Sequence, residues 1–290
     1  MCDTWQDGPR SHRKSAWAGC YFGQYTATGQ CSVRLSGPGG TNGALADVEP
    51  GKVISGLRAN VTCNGAPSDK AVILTVAPVA NTGGHQHHDS TRPPGVVNPA
   101  SGNGIVPFAF TASPISGDHT ITAKCIDGTC GEDTGKVWVG IKDLVSMAPS
   151  IDYAFVGGVG TTHPDNHYLT PTADGKAKWL ALLYRLYFPA NPILHLNDAS
   201  LIRGGLFDIT AVPWVIDHLT HRLGKEIGIR ANASPGAIPE ANFEEFELMV
   251  LGAKATFCGK GKDNVAYRGD DKKQHYHVCL NGGHCCSGGN

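Results

Sequence analysis

The chain has 290 residues, with 24 lysines and arginines against 25 aspartates and glutamates, for a formal net charge of −1. Charges of both signs are spread without long blocks, which excludes the basic footprint of a nucleic-acid binder or of a protein held on an anionic membrane. The length exceeds what one core usually serves, so two domains are expected.

Ten cysteines give the sharpest compositional signal. Their number is even, their spacings are mostly wide and no Cys-x-x-Cys pair occurs. That points to disulfides in an oxidising compartment rather than to a zinc ribbon or a thioredoxin-type centre. The opening "MCDTWQDGPRSHRKSAW" has no apolar signal core, and no apolar run is long enough for a membrane span. A secreted or cell-surface protein is expected.

Residues 1–47 read as an irregular, cysteine-containing segment in which Cys20 and Cys31 are placed to staple a small loop. From 48 to 145, short strand-like runs alternate with turn residues: 52–63, 71–79, 106–113, 119–125 and 136–141. In "HTITAKC" (119–125), alternation puts Ile121, Ala123 and Cys125 on one face and Thr120, Thr122 and Lys124 on the other. The pattern is that of an all-β immunoglobulin-like sandwich, and it resembles the Ig-like modules of bacterial surface proteins. Cys63 closes an early strand and Cys125 a late one, a placement suited to a disulfide tying the two sheets together. In the loop "GGHQHHDSTRPPG" (83–95), His85, His87, His88 and Asp89 either bind a metal ion or pack the loop against the next domain. Asn60 and Asn232 match the glycosylation sequon.

Residues 146–158 are expected to be a linker, and residues 159–290 an α+β domain with a Gly/Cys-rich tail. "DGKAKWLALLYRLYF" (174–188) has Ala177, Leu180, Ala181, Tyr184 and Tyr187 at helical spacing, with Asp174 as N-cap and Pro189 as stop. A second helix is expected over 238–257, with Phe243, Phe246, Met249 and Val250 on one side and Gly252 as terminator. "HRLGKEIGI" (221–229) and "QHYHVCL" (274–280) alternate as strands. Residues two apart on a strand share a face, so His275 and His277 present two imidazoles to one pocket. His218 and His221 lie in a neighbouring segment. Three protein ligands and an open position are what a catalytic zinc site needs.

Three stretches, "NDASLIRGGLFDI" (197–209), "HLTHRLGKEIGI" (218–229) and "HYHVCL" (275–280), resemble consecutive landmarks of the zinc peptidases related to D-alanyl-D-alanine peptidases and murein endopeptidases. These share the Hedgehog/DD-peptidase fold and cleave cell-wall peptides. The resemblance covers residues 160–282. It implies zinc as cofactor with His221 and His277 as ligands, and peptidoglycan or another surface polymer as partner. It also implies that His275 is the catalytic histidine that stabilises charge on the scissile carbonyl oxygen.

The family pattern has an Asp ligand seven residues after its first His, where this chain has Gly228. Glu226, one pleat repeat away on the same strand face, is the candidate third ligand; Asp208 and Asp217 are others. An acid that often precedes the final His by three residues is Gln274 here, with Asp270 and Asp271 nearby.

Three functions compete. The missing Asp favours a surface protein whose peptidase-like domain is catalytically altered or inactive and serves a binding or structural role. The alternatives are an active zinc-dependent peptidoglycan peptidase, and an adhesive Ig-like protein with an unrelated C-terminal domain. A Cys258–Cys279 bridge and intermolecular pairing of Cys285 or Cys286, with self-association, both stay open.

Overall fold

Apolar residues at every second position fold the first part of the chain into two stacked sheets. The computed structural model describes residues 30–86, 92–99, 104–157, 163, 165–208, 214, 221–231, 236–257, 265–266 and 275–281. The strands of the stacked sheets are β1 (Cys31–Ser36), β2 (Ala46–Val48), β3 (Val53–Cys63), β4 (Ala66–Pro67), β5 (Val72–Pro78), β6 (Val96–Pro99), β7 (Ile105–Thr111), β8 (Gly117–Cys125) and β9 (Asp133–Val139).

One sheet runs β1-β3-β7-β6, with β4 also paired to β3, and the other runs β2-β9-β8-β5. Neighbours are antiparallel except β2, which runs parallel to β9. This strand order matches immunoglobulin-type sandwiches. Ile121, Ala123 and Cys125 face inward, as their alternation predicts, and close a core with Leu57, Ala59, Val61, Phe108, Phe110, Val137 and Val139.

All of β1, and β2 up to Asp47, lie within the stretch expected to be irregular. The overlooked β1 also corrects the disulfides. Cys63 does not bond Cys125: it bonds Cys31, its register partner on the adjacent strand, with Cα atoms 4.0 Å apart. Cys125 bonds Cys130, in the β8–β9 connection. The nearest inward-facing thiol to Cys63 is therefore across its own ladder, whereas β8 belongs to the opposing sheet, about 10 Å away. Cys31 accordingly does not pair with Cys20.

The remaining strands are β10 (Val145–Ser146), β11 (Tyr153–Phe155), β12 (Tyr168–Leu169), β13 (Leu194–Leu196), β14 (Glu226–Arg230), β15 (Thr256–Phe257), β16 (Val265–Ala266) and β17 (His275–Cys279). β10 pairs with β12, and a six-stranded mixed sheet runs β11-β13-β14-β17-β15 with β16 also on β17. The stretch expected to be a linker thus supplies β11 to a sheet.

Helix α1 (Pro171–Tyr187) begins three residues before Asp174. Thr170 is its N-cap, its side chain accepting the Ala173 N–H at 3.4 Å, and Pro171 occupies the first turn, where its missing N–H costs nothing. Asp174 instead pairs with Lys178 one turn on, at 2.7 Å. Ala177, Leu180, Ala181 and Tyr184 are buried as expected, but Tyr187 is 70% exposed. Helix α2 is shorter than expected, Phe243–Gly252. Both helices pack on the sheet face formed by Ile227, Ile229, Tyr276, Val278 and Leu280, with the Phe246 ring 5.1 Å from Tyr276 and 6.0 Å from Tyr184. The other face of β14 and β17 carries Glu226, Gly228, Arg230, His275, His277 and Cys279.

Residues 203–206 meet the sandwich. Ser116 Oγ donates to the Gly204 carbonyl at 2.7 Å and lies 3.0 Å from that of Gly83. The Leu206 N–H donates to Pro114 O at 2.9 Å, and Arg203 pairs with Asp118 at 2.5 Å. Gly204 and Gly205 turn through φ values of 64° and 81°. A Cβ on Gly204 would stand 2.5 Å from the Arg222 carbonyl oxygen, so this turn needs glycine.

Candidate functional site

The antiparallel pairing of β14 with β17 sets Gly228 opposite His277 and Glu226 opposite Cys279. His221 lies just before β14, in a left-handed backbone conformation at φ 69°. Its N–H donates to Glu226 Oε2 at 3.0 Å, and its ring centroid is 5.1 Å from that of His277. The His275 and His277 rings are 4.4 Å apart with their Nε2 atoms at 2.9 Å, so one ring donates and the other accepts. Phe207 backs His221 at 5.5 Å. The three imidazoles singled out in the sequence therefore converge.

Among the described residues, a carboxylate does not join them in the way the peptidase pattern asks. Gly228 has no side chain to offer at the position facing His277. Glu226 does share the Gly228 face, but its carboxyl is turned to the His221 N–H. Burial pushes the Glu226 carboxyl up to about 7, the His221 hydrogen bond opposing it. Among the described residues the donors are three imidazoles and one carboxyl already engaged, which is not a His-Asp-His set. His218, Asp217, Asp270, Asp271, Gln274, His87, His88, Asp89, Asn232, Cys258, Cys285 and Cys286 lie outside the described residues. Cys279 is disulfide-bonded.

A second group gathers from three connections. His85 follows β5, His163 precedes β12, and Asp208 follows the Gly204–Gly205 turn. His85 Nδ1 is 3.2 Å and His163 Nε2 3.0 Å from the same Asp208 oxygen, Oδ1, and the two ring nitrogens are 3.3 Å apart. Exposure is 0% for His85, 3% for His163 and 1% for Asp208. Asp208 Oδ2 accepts the Trp214 N–H at 2.7 Å. Burial works against an ionised Asp208, but hydrogen bonds from His163 and His85 outweigh it and hold the carboxyl well below the usual carboxylate range. Burial likewise lowers the His85 pKa, with Asp208 only partly offsetting it.

This buried group could hold a metal ion: one ligand atom from each residue lies within 4.8 Å of the others. Asp208, a candidate third ligand for His221 and His277, is turned to His85, His163 and Trp214 instead. His163 was not singled out in the sequence. "TTHPDNH" carries an H-x3-H spacing between His163 and His167, but nothing in it points to His85, and only the packing of distant connections brings the two together.

No protein-family model matches the sequence, and no curated protein matches it. Similar solved structures include domains 4 and 5 of the S-layer protein SbsC, at 14% identity over 37% of this chain and 50% of that one, with a TM-score of 0.25. The ZirS C-terminal domain is 14% identical over 47% of this chain and 86% of that one, at a TM-score of 0.24. Domains 4–9 of the surface layer protein SbsC are 12% identical over 87% of this chain and 27% of that one, at 0.26. The chain thus spans about half the length of the two-domain SbsC fragment. Similarities of this size leave the chain's function to be read from its own residues.

Proposed function

We propose that this chain is a secreted or cell-surface protein in which an immunoglobulin-like sandwich carries a peptidase-like unit with an altered hydrolytic site, serving a binding or structural role. The observation that carries this reading is the pairing of Gly228 with His277. It leaves a carboxylate position of the peptidase pattern without a donor, beside imidazoles that otherwise follow that pattern. Zinc, the metal the resemblance implies, would be held there by His221 and His277 without, among the described residues, the Asp ligand of the peptidase pattern. The Cys31–Cys63 and Cys125–Cys130 bridges, with a further bond at Cys279, support an oxidising compartment. The polymer engaged is peptidoglycan or a related cell-wall peptide, bound against the β14–β17 face that carries the histidines.

Convergence of His221, His275 and His277 favours a second reading, an active zinc peptidase. Co-sedimentation with purified peptidoglycan, followed by chromatography of the supernatant for released peptides, separates the two. Binding without release is expected. Release that disappears in His277→Ala would establish the peptidase instead, and failure to sediment would remove the cell-wall partner.

A further inference from the structure

We propose that His85, His163 and Asp208 form a zinc site that clasps the sandwich to the six-stranded-sheet unit, separate from the histidines of β14 and β17. It goes beyond the reading above and does not depend on it.

The three candidate ligand atoms form a triangle with edges of 3.0, 3.2 and 3.3 Å. Tetrahedral zinc with bonds of 2.0–2.1 Å has ligand–ligand edges of roughly 3.3 Å. Hydrogen bonding accounts for only part of this triangle. If both rings donate N–H groups to Asp208 Oδ1, two donors are left facing each other at 3.3 Å, an unfavourable contact inside a fully buried group. A cation on the triangle lets both nitrogens and the oxygen point their lone pairs inward, and the conflict vanishes.

The surroundings are arranged for the same end. The Trp214 N–H fixes Asp208 Oδ2 at 2.7 Å, orienting the carboxylate so that Oδ1 faces the two rings, as outer-shell hydrogen bonds do at metal centres. Two imidazoles and a carboxylate suit zinc. Because the three residues come from both units, the role assigned to the ion is structural, with the fourth position left to water or another donor.

His85 belongs to the sandwich, whereas His163 and Asp208 belong to the second unit. The ion would sit on the boundary that the Ser116–Gly204 and Arg203–Asp118 contacts already join.

The test is zinc content by plasma mass spectrometry on the full chain, purified without chelator or histidine tag, for the wild type, His163→Ala, Asp208→Asn and His277→Ala. About one zinc per chain is expected in the wild type and in His277→Ala, and none in the other two. Zinc that survives His163→Ala and Asp208→Asn, or a wild type that takes up none from zinc chloride, overturns the site.

Because the buried variants risk unfolding, a second measurement uses the wild type alone. Cobalt(II) should give the strong visible bands of tetrahedral coordination. Chelation should speed amide exchange at residues 83–86 and 203–208 while the sandwich core stays protected. Weak octahedral-type bands, or exchange unchanged by chelation, overturn it equally. Neither result depends on whether the chain binds peptidoglycan.

Discussion

Replacing His119 with glutamine should flatten the acid sensitivity of the sandwich. β8 holds this imidazole at 0% exposure, 5.4 Å from the Phe110 ring. Burial above all, and then the Arg92 guanidinium, lower its pKa from 6.5 to about 4, with the Gly117 backbone and the Asp118 carboxylate opposing. The unfolded chain therefore takes up a proton here near pH 6.5, whereas the folded chain resists it until about pH 4. Between those values the unfolded state binds more protons, so stability is complete above pH 6.5 and is lost as pH falls toward 4. That interval corresponds to about 3 kcal/mol.

Urea unfolding of wild type and His119→Gln at about pH 7 and about pH 4.5 reads the effect. Glutamine is close in volume and does not titrate, so its fixed cost cancels when each protein is compared with itself. On acidification the wild type should lose about 2–3 kcal/mol more than the variant. Equal losses would refute the picture of a neutral imidazole locked in the core.

Gly228→Asp should add about one zinc per chain, because register sets the new carboxylate opposite His277. Its Cβ would stand 3.2 Å from Asn197 Cβ, so a stability cost on the order of 1 kcal/mol accompanies it, and an unchanged metal count would refute residue 228 as the vacated ligand position. Removing the Cys31–Cys63 bridge, whose ends are 32 positions apart in sequence, should cost about 3–4 kcal/mol, against about 2 kcal/mol for Cys125–Cys130, 5 positions apart. Denaturant midpoints in the reverse order would show that loop closure does not govern these bridges. Ser116→Ala leaves the Gly204 carbonyl without its donor and should cost roughly 1–3 kcal/mol. Amide exchange should rise at residues 203–206, and unchanged exchange there would refute Ser116 as one of the bonds joining the two units.

Strands of the sandwich were legible because the signal is local: in β8 every second side chain is apolar and nothing else is needed to place Ile121, Ala123 and Cys125 inside. The convergence of His275 with His277 was legible for the same reason, since a two-residue spacing fixes a shared face. β1 was harder, because "CSVRLS" is short and is followed by a glycine-rich turn. Missing it left Cys31 assigned to a small loop with Cys20, and the cross-sheet disulfide followed from that. For α1 the signal was present, with Thr170 followed by Pro171, but Asp174 offered a competing cap closer to the apolar run. The group formed by His85, His163 and Asp208 has no local signature, because its three members come from separate connections and meet only when the sandwich packs on the second unit.

The bond between Cys31 and Cys63 also decides how the protein bears load. β1 is an edge strand held to β3 by an antiparallel ladder, and tension arriving through the chain before Cys31 would ordinarily peel that ladder open one hydrogen bond at a time. The bridge stands at the end of the ladder where peeling would begin. Tension entering there passes covalently into β3, in the middle of its sheet, and the edge strand is relieved of it. A tether attached ahead of the sandwich would then have to shear β3 from both neighbours at once, while reduction of this one bond would return the assembly to unzipping from its edge.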